Sequence, residues 1–128
     1  MFEIDQTTKK ISITRGDYAL ITITAKNKDN TDYEFQKGDV IRFKVFQKKN
    51  CKNVFLQKDF EVDIAKTEVD IELLPEDTKI GELINSQVTY WYEVELNPNG
   101  KTQTIIGYEK GNEKLFVLNP EGGDKEWL

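Results

Sequence analysis

Residues 88–106 read VTYWYEVELNPNGKTQTII. Val88, Tyr90, Tyr92, Val94 and Leu96 fall on every second position, and an extended chain turns successive side chains to opposite faces, so these five share one side. Thr89, Trp91, Glu93 and Glu95 share the other. One apolar and one wet face is the pattern of a strand in an antiparallel sheet. Asn99-Gly100 follows, a pair that tolerates the positive φ angles of a tight reversal, and it predicts that residues 102–108 fold back on the first strand.

The same period of two recurs outward from this hairpin. Ile41, Phe43 and Val45 alternate with Arg42 and Lys44; Ala19, Ile21, Ile23 and Ala25 form one face of residues 18–25; Ile11 and Ile13 form another short stripe. Phe60, Val62 and Ile64, then Val69, Ile71 and Leu73, predict two more strands, and Leu115, Phe116, Val117 and Leu118 a last one. Turn signals separate them at Arg15-Gly16-Asp17, in residues 26–32 and at Lys37-Gly38-Asp39, while residues 48–53 predict a polar loop. Pro75 followed by Glu76 and Asp77 suits a first helical turn, which predicts one short helical turn near residues 75–83. Short strands with turns between them predict an all-β antiparallel sandwich or barrel. The inward set is expected to be Ile11, Ile13, Ile21, Ile23, Ile41, Phe43, Val45, Phe60, Val62, Val69, Ile71, Leu73, Tyr90, Tyr92, Val94, Leu115 and Val117.

A chain of 128 residues is expected to form one domain, residues 1–118, with residues 119–128 as a tail marked by Pro120, Gly122 and Gly123. At this size roughly two thirds of the unfolded surface can be buried, so neither disulfide nor metal is required. The apolar runs fall far short of the ~20 residues that cross a bilayer, and the amino terminus lacks a basic segment followed by an apolar one; no membrane span and no secretory signal are expected. Cys51 is a lone thiol and cannot pair within the chain. The net charge of −5 disfavours nucleic acid, because phosphate binding requires a surplus of Lys and Arg on one face. Lys48, Lys49 and Lys52 form a local basic run that reads first as a solvated loop.

Catalytic chemistry has little to work with. Histidine is absent, which removes the commonest general base and metal ligand near neutral pH and with it every Ser/His and Cys/His nucleophile arrangement. Ser12 and Ser86 lie in no glycine-flanked elbow, and the eight glycines are scattered among turns instead of forming a phosphate-binding loop. Outward carboxylates such as Asp70, Glu72, Glu93 and Glu95 read as solvated strand faces. Asp29, Asn30 and Asp32 offer oxygen ligands but lack the twelve-residue calcium loop and its terminal Glu, so a hydrophilic turn accounts for them. Arg15-Gly16-Asp17 spells an adhesion tripeptide, yet Gly16 in a β-turn explains it. The expectation is no enzyme, no cofactor and no metal. Trp91, on the face away from the core, either anchors a partner or is tucked under a loop; Trp127 is a second candidate contact.

Three segments carry a resemblance to a known family: Ile13-Thr14-Arg15-Gly16-Asp17, Leu73-Leu74-Pro75-Glu76-Asp77-Thr78, and Tyr90-Trp91-Tyr92-Glu93-Val94-Glu95-Leu96 leading into the hairpin. Together they resemble the amino-terminal domain family of phage baseplate upper proteins, modules of phage and prophage tails in Gram-positive bacteria, over about residues 9–118. The resemblance implies an immunoglobulin-like sandwich and a structural role in the virion, at the tail or baseplate, after assembly in the bacterial cytoplasm. Its implied partners are other tail or baseplate proteins, with self-association as a further expectation. Trp91, Lys48, Lys49, Lys52, Trp127 and the 119–128 tail are then the candidate contacts. A carbohydrate- or ligand-binding sandwich, with Trp91 and Tyr108 stacking on sugar rings, is the alternative.

Overall fold

A computed structural model describes residues 3–4, 10–27, 29, 31–48, 52–79, 86–98, 100–106 and 114–120. Nine strands and one helical turn are set out along them: β1 Glu3–Ile4, β2 Ile11–Thr14, β3 Ala19–Ile23, β4 Val40–Lys48, β5 Lys52–Glu61, β6 Val69–Leu73, α1 Pro75–Thr78, β7 Val88–Leu96, β8 Gln103–Ile106 and β9 Leu115–Asn119. They build two sheets of unequal size. The larger runs β1-β2-β9-β7-β4-β5, with β8 also on β7, and the smaller is β3 paired with β6 alone. All pairings are antiparallel except β2 with β9. The two sheets pack together as an all-β sandwich.

The period-two stripes explain the layers. Ala19, Ile21 and Ile23 face Leu73, Ile71 and Val69 across the small sheet, and all six are buried while their neighbours Leu20, Thr22, Asp70 and Glu72 are exposed. Opposite them, the register sets Ile41 against Leu96, Phe43 against Val94 and Val45 against Tyr92 on the inner face of the large sheet. These close one core with Ile11, Ile13, Phe35, Phe116 and Leu118.

Several expectations are corrected. Residues 48–53 were expected to loop, but β4 extends through Lys48 and β5 begins at Lys52; β5 is an edge strand whose Val54 stays 55% exposed, so it lacks the clean alternation of a half-buried strand. The chain leaves the sheet before Ile64, which is 70% exposed, because the backbone of Val62 bonds instead to Gly38 and Asp39. In β9 the inward pair is Phe116 and Leu118, set by Tyr90 opposite Phe116 and Val88 opposite Leu118. Val117 is buried on the opposite face and Leu115 is half-buried there, since an unbroken apolar run carries no parity of its own. The left-handed residue after β7 is Asn97 (φ 52°), while Gly100 needs no positive φ and Asn99 lies outside the described residues. Asn97 is held there by its own side chain, whose Oδ1 accepts the Val40 amide (2.9 Å) while Nδ2 donates to Asp39 (3.1 Å). Phe60 and Tyr90 pack against the core but are only half-buried.

Helix α1 is shorter than the expected 75–83, ending at Thr78 with Lys79 out of helical geometry (ψ 36°). Asp77 takes the Leu74 amide (2.8 Å) and the Lys58 ammonium (2.9 Å), which fixes the turn to β6 and β5. Thr78 is fully buried: its hydroxyl donates to the Asp17 carbonyl (2.8 Å) and accepts the Gly16 amide (3.0 Å). The turn at residues 14–17 and the Pro75–Thr78 helix, far apart in the chain, are thereby clamped together.

Candidate functional site

Two strands cannot cover a sheet of seven. On the side away from β6, no described strand pairs with β3, and none pairs with the outer edge of β8. Between these two edges lies a cleft of about 880 Å³. Its floor is apolar, formed by Ile11, Ile21, Ile23, Tyr92 and Leu96 with Ile105 and Ile106 of β8. A shift of register between Val94 and Glu95 places Ile106 opposite Val94 and Thr104 opposite Glu95; Ile105 is the extra residue of this bulge, and both isoleucines pack on the core. The rim is polar: Thr22, Thr24, Lys26 and Asn27 on one side, Glu68, Gln103 and Thr104 on the others. Burial holds the Tyr92 phenol well above its usual range, so it stays neutral at any physiological pH.

The loop beyond β3 is tied down by its polar residues. Asp29 accepts both the hydroxyl and the amide of Thr31, which hold its carboxyl below the usual range, and Asp32 pairs with Lys26. Both carboxylates thus serve the turn itself; Asn30 lies outside the described residues, among which no cluster of three metal-ligating groups occurs. Tyr33 packs edge-on against buried Phe35 and donates to Asp39 (2.9 Å). Burial raises the Asp39 pKa, but the Gln36 amide, Asn97 and Tyr33 together outweigh it and hold the carboxyl below the ordinary value.

The outer face of the large sheet has two halves. In one, Arg42 forks onto Asp59 (2.9 and 3.0 Å), and Lys44 sits between Glu93 (3.3 Å) and Glu95 (2.7 Å). Burial alone would lower the Lys44 pKa, yet the two carboxylates raise it. In the other half the register sets Trp91 between Phe46 of β4 and Leu115 of β9, beside Val117. Trp91 is half-buried there, whereas Phe46 and Val117 are each 3% exposed. Of the basic run, Lys48 and Lys52 are Cα partners at the end of the β4–β5 hairpin, and Lys49 lies outside the described residues, as do Trp127, Tyr108 and residues 121–128. The registers set Trp91 opposite Phe46 on the outer face, with Lys48 two positions further along β4 and Lys52 its partner across the hairpin. Arg15 of the adhesion tripeptide is only 6% exposed, with Gly16 at φ 87° in a turn closed by the Asp17 amide on the Thr14 carbonyl (3.0 Å).

Sequence reasoning missed the cleft. The alternation of Ala19, Ile21, Ile23 and Ala25 with Thr22, Thr24 and Lys26 tells which face of the strand is buried and carries no sign of which edge lacks a neighbour. No protein-family model matches the chain, and no curated protein aligns with it significantly. Among the described residues no helix is long and apolar enough to cross a membrane.

Proposed function

We propose that this chain is a non-enzymatic structural module of a phage or prophage tail, acting through protein–protein contacts in the tail or baseplate. The phage assignment rests on the resemblance of the three segments at residues 13–17, 73–78 and 90–96. The contact role rests on one observation, the edges of β3 and β8 that no described strand occupies, beside an apolar-floored cleft. Unpaired strand edges are templates for pairing with another chain, and surfaces of this kind are used for assembly. The absence of histidine and of nucleophile motifs agrees with a role that needs no chemistry.

Light scattering after size-exclusion chromatography tests the reading. The purified chain mixed with proteins encoded beside it in its gene cluster is expected to elute as a complex of defined stoichiometry. A strict monomer that ignores every one of those neighbours contradicts it.

A further inference from the structure

We propose that the cleft accepts an extended strand from a partner protein, paired to the edge of β3 that no described strand occupies; this rests on the reading of the chain as a protein-binding module. The backbone geometry points to an extended occupant. The Tyr33 amide donates to the Ala25 carbonyl (2.9 Å) and the Asn27 amide to the Thr31 carbonyl (2.8 Å), which turns the peptide groups of residues 25 and 27 toward the 31–33 segment. In an extended chain successive peptide groups alternate sides, so those of Thr24 and Lys26 point the opposite way, to the edge that no described strand occupies. Residues 21–27 line the cleft without a break, a row that matches an incoming strand of similar length.

The floor sets the occupant's side chains. Ile106 is half-buried at the floor and favours an apolar residue over it, whereas Ile23 and Leu96 are already buried; because a strand alternates its side chains, the apolar residues fall at every second position of the partner segment. The occupant is thus a strand of alternating apolar and polar residues. Main-chain hydrogen bonds supply its affinity and the apolar floor its register.

The test uses a synthetic peptide of alternating valine and threonine with lysine at both ends, and the same peptide N-methylated on the edge that would pair. Amide hydrogen exchange and chemical shifts of the full chain are read by NMR at increasing peptide concentration. Protection is expected to appear at Thr24 and Lys26, with shifts along residues 21–27, and the N-methylated peptide is expected to bind at least about tenfold more weakly. Thr24→Pro removes an edge amide that faces no described strand, which an edge strand tolerates, and should weaken binding to a similar degree; Thr24→Val keeps the amide and should not. A thermal melt establishes whether the proline variant is folded, and the N-methylated peptide decides the matter on the unaltered chain in either case. Equal binding of the two peptides, protection confined to other residues, or no change at Thr24 and Lys26 at millimolar peptide overturns the proposal. A complex with tail proteins that protects other surfaces overturns it too, yet leaves the assembly role standing.

Discussion

Phe43→Ala is expected to cost about 3–5 kcal/mol of folding stability. Phe43 is 0% exposed at the centre of β4, which is flanked on both sides by β5 and β7. Its ring centroid lies 5.5 Å from that of Tyr92 and 6.1 Å from that of Phe116, so removing it opens a cavity where three strands meet. Neighbours anchored in a hydrogen-bonded ladder have little freedom to collapse into the gap, which places the loss toward the upper part of the range. Against a total of about 5–15 kcal/mol for a typical domain, such a loss lowers the melting temperature by roughly 10–20 °C. Urea unfolding measures it, with Val54→Ala as the comparison: Val54 is 55% exposed on the edge strand and should cost well under about 1 kcal/mol. Similar losses for the two variants would mean that β4 does not run through the middle of the core.

Thr78→Val is expected to cost about 1–3 kcal/mol while leaving the side chain nearly the same shape. The hydroxyl is the only part replaced, and it serves both the Gly16 amide and the Asp17 carbonyl. Without it these two backbone groups lose their partner in a place where Thr78 itself is fully buried, and an unmade buried hydrogen bond costs more than a made one contributes. Thr78→Ser restores the hydroxyl and loses only a methyl group, so it should recover much of the stability lost in the valine variant. Equal stability of valine and wild-type chains in urea would show that the 14–17 turn does not depend on α1.

The strands whose alternation is clean were legible in the sequence: β3, β6, the first half of β4 and the whole of β7 present their apolar residues on the expected face. Three kinds of residue were not. Leu115 to Leu118 are all apolar, and only the long-range pairing with β7 decides that Phe116 and Leu118 face the core. Phe35 lies alone between polar residues, so no period announces it, yet a bridge to Lys66 carries it into the core, where it is 0% exposed. Asn97 takes the left-handed conformation ahead of the more familiar Asn99-Gly100 pair because its amide side chain is locked onto Val40 and Asp39, contacts 57 and 58 residues away in the chain. The cleft was hidden for a related reason. Each strand's own sequence tells which face is buried, but how many strands each sheet receives is a property of pairing across the whole chain.

That unequal division of strands is the claim on which the contact role depends, and hydrogen exchange of the isolated chain measures it directly. Amides of residues 41–46 and 91–94, in strands paired on both sides, should exchange slowly, whereas those of Thr24 and Lys26 should exchange at close to the rate of an open chain. Protection of Thr24 and Lys26 equal to that of β4 in the monomer would contradict the account, because the edge offered to a partner would already be taken.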